Sequence, residues 1–278
     1  VRAYEVGETP NPCALCNRRV KFGALHQRAR ELGWDKVATG HYVRLDFDRG
    51  SGRWLLKKAA HTEKDQSYVL AQLSQEQLSR SLFPLGALSK EEVRIIAQEA
   101  GLLNAHKRDS QDICFVPDGN YGAFIRRYTG KDYPSGPYLD EAGAVLGRHT
   151  GIIDYTVGKR RGLGVSSSRG RLYVKEIRPA DNAVVLSGSD SLFARALEAR
   201  ELNLIACGRL DAPVRLRAKI RYRMAEQPCT VEQTGEDAIR LTFDQPQRAI
   251  TPGQTVVLYD GDTVVGGAVI ARSGSKGL

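Results

Sequence analysis

The chain has 278 residues, which is long enough for two or three domains that each bury a hydrophobic core. It has no apolar run long enough to span a bilayer, and its five cysteines are odd in number and unevenly spaced, which argues against a disulfide framework and favours reduced thiols in the cytoplasm. The formal net charge of +9 is distributed along the whole chain, which suits a long polyanionic partner such as a nucleic acid, although many soluble proteins are mildly basic without binding one.

The first residues do not resemble the start of a domain. The chain begins with Val1, and the string VRAYEV at residues 1–6 has no similarity to a signal peptide. We therefore expect the chain to be a fragment.

Two thiols, Cys13 and Cys16, precede a predicted helix. Apolar residues recur at roughly helical spacing from Val20 to Leu32, so the helix is predicted to begin after Asn17. Cys16 would then lie at or just before the first turn. Three cations follow it closely: Arg18, Arg19 and Lys21. Helix N-termini and neighbouring cations lower the pKa of a thiol and favour the nucleophilic thiolate.

Other interpretations of Cys13 and Cys16 stay open. They could form half of a zinc site, although zinc normally needs a second close pair of ligands and the other cysteines are scattered singly. They could form a thioredoxin-like dithiol, although such motifs normally follow a strand directly and TPNP at residues 9–12 is typical of a loop. They could also be small buried residues.

Residues up to about Pro117 alternate helical patterns with short apolar runs, which indicates an α/β fold. Residues 36–40 are predicted to be a short buried strand. Its end, at Gly40 and His41, would then face a ligand site, because ligands gather at the carboxyl ends of parallel strands. The other interpretation of His41 is a hydrogen-bonded loop histidine.

Two further elements are predicted in this region. A helix begins at Ser89, which forms a capping box with Glu92, and ends near Gly101. Residues 113–116 are predicted to be a brief strand, which would bring Cys114 to a strand end close to a cleft.

Residues 118–190 contain more glycine and proline and are predicted to form a small connecting domain with hairpin-like pieces such as residues 138–146. The segment 158–162 holds three cations between two glycines, which let the backbone approach a partner closely. These cations are Lys159, Arg160 and Arg161. A solvated surface turn is the other interpretation.

The last third is predicted to be β structure. Residues 214–223 alternate apolar residues with five cations, so one face of a strand would form a basic stripe. The cations of this stripe are Arg215, Arg217, Lys219, Arg221 and Arg223. Like charges on one face repel each other unless a polyanion or carboxylates of a neighbouring strand offset them. Asp260 and Gly261 predict a tight hairpin, and the short strands together predict a small barrel or sandwich.

With these residues in place, the chain resembles the bacterial tRNA-specific 2-thiouridylase family along essentially its whole length. The strings that carry the resemblance are collinear and more specific together than any single Cys-x-x-Cys. They are TPNP at 9–12, LCN at 15–17, ATGHY at 38–42, KDQSY at 64–68, SQDICF at 110–115, GLG at 162–164, RYR at 221–223 and TPGQ at 251–254.

The resemblance implies a protein of three parts. Residues 1–119 would be the remainder of a truncated PP-loop ATPase domain, which is a doubly wound α/β domain of the adenine nucleotide alpha hydrolase type. Residues 120–194 would be a small central domain that contacts tRNA. Residues 195–278 would be a C-terminal β-barrel.

The implied enzyme is a sulfurtransferase that uses ATP, with Mg²⁺, to adenylate the C2 oxygen of the wobble uridine in tRNAs for lysine, glutamate and glutamine. Sulfur from a cysteine persulfide then replaces this oxygen to give 2-thiouridine. A persulfide donor is also implied, either a cysteine desulfurase or a sulfur relay protein.

By position, the resemblance makes Cys114 the cysteine that receives sulfur as a persulfide. Cys16 matches the nucleophile that completes the release of sulfur or afterwards forms a disulfide with Cys114. Gly40 matches a position that contacts ATP. Further positions match residues that touch tRNA, namely Asn11, Pro12, Cys13, His41, Lys64, Asp65, Gln66, Arg221, Tyr222 and Gln254.

The chain departs from the family pattern in two ways. The phosphate-binding string SGGVDS does not occur in it, so we expect the chain by itself to bind ATP poorly and to be inactive. In addition, Cys13 occupies a position where some members have aspartate, a candidate general base. A thiol there leaves proton transfer to another group or supplies a third sulfur ligand, so that Cys13, Cys16 and Cys114 could hold three irons of a [4Fe–4S] cluster.

Two other functions compete with sulfur transfer. One is a non-catalytic RNA-binding module with structural cysteines, built from the basic stripe and the loop at 159–161. The other is a different PP-loop adenylating enzyme, such as an amidating synthetase, which needs no cysteine pair. Dependence on thiols distinguishes these functions from a sulfurtransferase.

Overall fold

A computed structural model of the protein describes residues 1–103, 105, 113–165 and 170–274. None of the helices in these ranges is long and apolar enough to cross a bilayer. The helices are α1 (Arg2–Glu5), α2 (Pro12–Cys16), a π-helix (Asn17–Ala24), α3 (Leu25–Glu31), α4 (Ser67–Leu70), α5 (Gln75–Ser79), α6 (Lys90–Glu99) and α7 (Tyr121–Thr129). Short 3₁₀ turns lie at Thr62–Lys64, Ile152–Asp154 and Asp190–Leu192.

The strands fall into three sheets within the described residues. The first part of the chain contributes β1 (Val37–Ala38), β2 (Val43–Asp48), β3 (Arg53–Lys58) and β4 (Ser81–Leu82). The middle part contributes β5 (Gly136–Leu139), β6 (Val145–His149), β7 (Tyr173–Arg178) and β8 (Ala183–Ser187). The last part contributes β9 (Phe193–Leu204), β10 (Val214–Lys219), β11 (Gln227–Gln233), β12 (Ile239–Arg248), β13 (Thr255–Asp260) and β14 (Thr263–Gly274).

The α/β part retains a parallel strand pair, since β1 lies beside β4 with Val37 opposite Ser81. The strand predicted at residues 36–40 is confirmed, but its predicted burial is wrong, because Val37 is half-buried and Ala38 is exposed. Helix α6 has the predicted capping box. The Ser89 Oγ accepts a hydrogen bond from the Glu92 N–H, and the Glu92 carboxylate accepts one from the Ser89 N–H.

Helix α2, the π-helix and α3 run as one helical segment from Pro12 to Glu31. The wider turn of the π-helix leaves carbonyl groups that a side chain can reach. Gln77 of α5 supplies that side chain, because its Nε2 donates to the carbonyls of Arg18 and Phe22, both at 2.9 Å. The side-chain amide of Gln77 therefore anchors the helical segment that carries Cys16 to helix α5.

The strand predicted at residues 113–116 is wrong. This segment forms a turn, in which the Val116 N–H donates to the Ile113 carbonyl at 3.0 Å and the Gly119 N–H donates to the Val116 carbonyl. Pro117 follows directly and has no N–H to donate to a neighbouring strand, which favours a turn over a ladder. Residues 110–112 of the quoted string SQDICF lie outside the described residues.

The central part is a sheet with the strand order β6-β5-β8-β7 and its own core. Strands β5 and β6 form the hairpin predicted around residues 138–146. The Tyr138 hydroxyl donates to the Tyr155 hydroxyl at 2.7 Å within this core, so the two buried phenols satisfy each other.

The C-terminal part is a closed barrel. Its strands follow the order β13-β10-β11-β12-β9-β14 within the described residues, and a further pairing between β13 and β14 closes the ring. Asp260 pairs with Thr263 across the predicted hairpin, where Gly261 has a φ of 57°. The barrel interior is filled by alternate side chains of these strands.

Strand β13 contributes to two hydrophobic cores. Val256 and Leu258 point into the barrel, whereas Val257 and Tyr259 belong to a second core formed with helices and strands of the first part of the chain. The β2–β3 hairpin also joins the barrel sheet, because Lys57 pairs with Thr263 of β14. The first and last parts of the chain therefore share a sheet and a core.

The basic stripe is only partly confirmed. Residues 214–219 alternate as predicted, but the strand ends at Lys219, so Arg221 and Arg223 lie in a turn and not on the strand face. Carboxylates offset the exposed arginines of the strand. Arg215 makes two hydrogen bonds to Asp244, at 2.8 and 2.6 Å. Arg217 lies 3.7 Å from the Glu226 carboxylate.

Candidate functional site

The segment before the first thiols begins a helix earlier than predicted. Asn11 is the N-cap of α2, with its side chain accepting a hydrogen bond from the Ala14 N–H at 3.2 Å, and Pro12 occupies the first helical position. Cys13 therefore lies in the first turn and is exposed. The prediction that Cys16 lies at or before the first turn is wrong, because it is the last residue of α2 and is half-buried.

The loop at residues 9–11 is held by both other parts of the chain. Gln254 donates from Nε2 to the carbonyls of Thr9 and Pro10, at 2.9 and 3.3 Å. The Thr9 N–H donates to the Pro252 carbonyl at 2.9 Å. The hydroxyls of Thr9 and Thr156 lie 2.5 Å apart. Gln254 thus orients the entry to helix α2.

Two residues of the string KDQSY turn their polar groups into the protein. The Asp65 carboxylate accepts hydrogen bonds from the Ala59 N–H at 3.0 Å and the Ser67 hydroxyl at 2.6 Å. The Gln66 side-chain oxygen accepts a hydrogen bond from the Tyr42 N–H at 3.0 Å. The backbone N–H of Gln66 donates to the Tyr42 carbonyl, also at 3.0 Å. These contacts fix the loop that presents Lys64, which is half-buried.

Tyr68 lies where these motifs meet. Its hydroxyl donates to the Thr255 carbonyl at 2.6 Å and is also hydrogen-bonded to the side chain of Asn11. Its ring lies 5.9 Å from the ring of Tyr222, which is 43% exposed. Burial raises the pKa of both tyrosines above the ordinary value, so both stay neutral donors at neutral pH.

Tyr222 connects the turn after β10 to the other motifs. Its hydroxyl donates to the Asp65 carbonyl at 3.2 Å. After burial, which raises the pKa of Tyr222, Asp65 and Cys13 raise this pKa further, whereas Lys64 and Arg223 lower it. The structure therefore brings together residues 11–13, 64–66, 221–222 and 254, which are far apart in the sequence.

Arg221 is tied to the barrel rather than projecting freely. Its Nη2 donates to the Ala249 carbonyl at 2.5 Å and to the Thr251 hydroxyl at 3.0 Å. Burial lowers the pKa of Arg221, and the nearby Arg248 lowers it further, while Tyr68 opposes the shift. Because burial and a neighbouring cation both destabilise the charged form of Arg221, binding of an anion beside it would be favourable.

Gly40 and His41 follow β1, as predicted, but they differ in exposure. Gly40 is exposed, whereas His41 is only 7% exposed and lies against the rings of Phe22 and Phe83. The His41 Nδ1 is 3.0 Å from the Thr39 hydroxyl. In this conformation the imidazole supports the end of β1, and the exposed backbone of Gly40 is the part available to a ligand.

We expect His41 to make the protein sensitive to acid. Burial, and then the charge of Lys21, lower the pKa of His41 from the ordinary 6.5 to about 4. Between these values the unfolded chain binds the proton more readily, so the free energy of unfolding falls as the pH drops from about 6.5 to 4, by on the order of 3 kcal/mol. Urea unfolding of wild type and His41→Asn at pH 7.5, 5.5 and 4.5 measures the difference.

A matched control for His41→Asn is His61→Asn, since His61 is exposed. Wild type and the control should lose stability in parallel on acidification. The stability difference between wild type and His41→Asn should shrink as the pH falls. A constant difference over this range would contradict a neutral, buried His41.

Cys114 lies in the turn at residues 113–116 and is exposed. No disulfide links any of the five cysteines, all of which lie in the described residues. No group of three or more His, Cys, Asp or Glu side chains in the described residues is arranged to hold a metal ion, so Cys13, Cys16 and Cys114 are not assembled as cluster ligands in this conformation.

Some residues of this region were not identified from the sequence. Tyr68 stood in a quoted string, but its role at the centre depends on partners from all parts of the chain. Nothing in the local sequence singled out Arg248, Lys58 or Glu226, because isolated charged residues are common on any protein surface. Lys58 Nζ lies 2.6 Å from Glu226 Oε1, and both side chains are 15% exposed.

Family comparisons divide the chain into three matched segments. Residues 1–118 match the tRNA methyl transferase HUP domain, residues 122–188 the tRNA methyl transferase PRC-barrel domain, and residues 194–270 the aminomethyltransferase β-barrel domain. The observed order of an α/β part, a small central sheet and a closed barrel agrees with these matches and confirms the expected fold class.

Curated relatives match over almost the whole chain. The tRNA-specific 2-thiouridylase of Clostridioides difficile strain 630 is 45% identical over 270 residues, which cover 97% of this chain and 74% of the relative. One from Caldanaerobacter subterraneus subsp. tengcongensis is 49% identical over 269 residues, with the same coverage of both chains. One from Symbiobacterium thermophilum is 48% identical over 274 residues, covering 98% of this chain and 70% of the relative. The chain belongs to the tRNA-specific 2-thiouridylase family.

Proposed function

We propose that this chain is a tRNA 2-thiouridylase, a sulfurtransferase that replaces the C2 oxygen of a wobble uridine in tRNA by sulfur. The observation that carries the proposal is the convergence of Asn11 and Tyr222 on the buried Tyr68, with Cys13 two residues after Asn11 in the first turn of α2, in a chain that shares 45% identity with a curated 2-thiouridylase. An exposed thiol, a half-exposed aromatic ring and amide groups together suit a flipped-out base.

ATP is the cosubstrate, with Mg²⁺, and its role is to convert the C2 oxygen into a good leaving group by transfer of AMP. The residues of this chain fit that role only in part. The exposed Gly40 at the end of β1 lies where a nucleotide can approach the backbone. The string SGGVDS, with which the family pattern holds the phosphates, does not occur in the 278 residues.

The sulfur chemistry uses two thiols. Cys114 carries the persulfide, and the outer sulfur attacks C2 as the oxygen leaves with AMP. The Cys16 thiolate then attacks Sγ of Cys114, which breaks the sulfur–sulfur bond, leaves sulfur on the base and forms a Cys16–Cys114 disulfide. A thiol reductant restores both thiols. The exposure of Cys114 suits loading by an external persulfide donor, a cysteine desulfurase or a sulfur relay protein.

Cys13 lies in the first turn of α2, two residues after Asn11, whose side chain is hydrogen-bonded to Tyr68. A thiol there is a weaker hydrogen-bond acceptor than the aspartate that some members carry at this position. Proton transfer during the attack therefore falls to another group. The substrates are tRNAs for lysine, glutamate and glutamine, which share a wobble uridine.

The test uses the full-length protein with ATP, Mg²⁺, a persulfide source and unmodified tRNA for glutamate. We expect 2-thiouridine at the wobble position, detected by mass spectrometry of the digested tRNA. A tRNA in which this uridine is replaced by cytidine serves as the control and should take up no sulfur. Tight tRNA binding with no sulfur incorporation would contradict the proposal and favour a non-catalytic RNA-binding module.

A further inference from the structure

Arg221 and Arg248 converge above Gly158. A Cβ atom added to Gly158 would lie 3.8 Å from Nη2 of Arg221 and 3.9 Å from Nη1 of Arg248, so both guanidinium groups approach the same point. Gly158 has a φ of 87°, and its N–H donates to the Val174 carbonyl at 2.7 Å. A Cβ at Gly158 would also lie only 2.9 Å from the Cβ of Ala249, so this position beside the two arginines requires glycine.

Among the residues that the structure describes, no carboxylate forms an ion pair with Arg221 or Arg248. In the described part of the chain, no carboxylate contributes to the environment of Arg221, whose polar partners are the Ala249 carbonyl and the Thr251 hydroxyl. The guanidinium of Arg248 lies over the ring of Tyr173, 4.8 Å from its centroid. Two half-buried like charges at one gap repel each other, and this repulsion is relieved by an anion between them.

The donors that remain suit one phosphate group. Arginine has five N–H donors, and the hydrogen bonds of Arg221 to Ala249 and Thr251 both involve Nη2. Planar guanidinium groups bind the non-bridging oxygens of phosphate at N–O distances of about 2.8 Å. Stacking on Tyr173 holds the Arg248 plane in place, which reduces the entropy lost on binding.

Rigid placement distinguishes this gap from the rest of the basic surface. Arg215 and Arg217 are matched by Asp244 and Glu226. Arg160 and Arg161, next to the gap, are exposed on a turn. We propose that Arg221 and Arg248 form a binding site for a single backbone phosphate of the bound tRNA, at the junction of the barrel and the central sheet. This inference rests on the proposed function and adds Arg248 to its RNA contacts.

The test compares Arg248→Gln with Arg248→Lys and with Arg240→Gln. Arg240 is on the same strand and pairs with Glu198 at 3.2 Å, so its replacement removes the same charge without touching the gap. The affinity of each protein for tRNA is measured between about 50 and 300 mM KCl. Loss of one phosphate contact should lower the slope of log K against log[KCl] by roughly 1 and weaken binding about tenfold.

We expect this loss for Arg248→Gln, a near-normal slope for Arg248→Lys, which keeps the charge, and an unchanged slope for Arg240→Gln. A purely structural role of Arg248 would change the melting temperature without changing the salt slope, and that result would overturn the inference. So would equal slopes for wild type and Arg248→Gln.

ATP is another source of phosphate, and a parallel arm separates it from RNA. In the full-length protein, Arg248→Gln should leave ATP affinity unchanged. A loss of ATP affinity with normal tRNA binding would overturn the assignment to RNA. If wild type binds no tRNA and forms no 2-thiouridine, the proposed function itself fails. If wild type does both and only the predicted slope change is missing, the phosphate site alone fails.

Discussion

Replacing Cys114 by alanine is expected to abolish sulfur transfer to tRNA in the full-length protein, with a loss of at least about a thousandfold. No other group of the chain is expected to carry the persulfide, and the substitution removes the nucleophile rather than weakening it. Affinity for tRNA should stay within about twofold of wild type, because one exposed thiol contributes little to a salt-dependent RNA interface. Single-turnover formation of 2-thiouridine and tRNA titration measure the two effects separately.

Cys207→Ala is the matched control for Cys114→Ala. Cys207 is half-buried against the barrel, and burial raises the pKa of its thiol, which disfavours the thiolate. Its replacement should leave sulfur transfer intact. Cys16→Ala should behave differently from both. Cys114 would still accept sulfur as a persulfide, but the sulfur–sulfur bond would not be broken to give 2-thiouridine. Sulfur transfer at the wild-type rate in Cys114→Ala would refute the two-thiol mechanism.

Glu226→Gln is expected to destabilise the protein by about 3 kcal/mol, the usual cost of leaving a buried charge without its partner. Glu226 follows the turn that carries Arg221 and Tyr222, and its carboxylate is shared by Lys58 and Arg217. After the change, the Lys58 ammonium would keep its contacts with the Gly261 carbonyl at 2.8 Å and with the ring of Tyr259, neither of which carries a negative charge. Urea unfolding followed by tryptophan fluorescence measures the loss.

The neighbouring residue on β3 supplies a control for Glu226→Gln. Lys57 pairs with Asp46 at 2.8 Å, but Asp46 is 56% exposed, so Asp46→Asn should cost less than about 1 kcal/mol. The double variant Lys58→Met/Glu226→Leu should recover most of the stability lost in Glu226→Gln, since it removes both charges and leaves Arg217 exposed to water. Equal losses for Asp46→Asn and Glu226→Gln would show that burial adds nothing to the Lys58 pair.

Local patterns predicted elements whose signals are complete within a few residues. The capping box at Ser89, the hairpin at Gly261 and the alternation of residues 214–219 are of this kind, and each is present in the structure. The strand predicted at residues 113–116 is wrong because a short apolar run carries no information about whether a partner strand lies beside it. The start of α2 at Pro12 was predictable from the sequence, because an N-cap residue such as Asn11 followed by proline is a common helix start.

The site was predicted less completely than the fold. The resemblance named Asn11, Asp65 and Tyr222, but the sequence could not show that Asp65 accepts hydrogen bonds from its own loop or that Tyr222 donates to the Asp65 carbonyl. The same holds for the basic stripe, because the carboxylates that offset Arg215 and Arg217 come from elsewhere in the chain. Such pairings depend on register, which no single segment encodes.

The two faces of β13 limit how this protein can move. Val256 and Leu258 on one face, and Val257 and Tyr259 on the other, bind the barrel and the thiol-bearing region into a single cooperative unit. A hinge motion between the barrel and the thiol-bearing region would have to break the packing on one of the two faces of β13. Backbone amides of β13 should therefore be among the slowest to exchange with solvent deuterium.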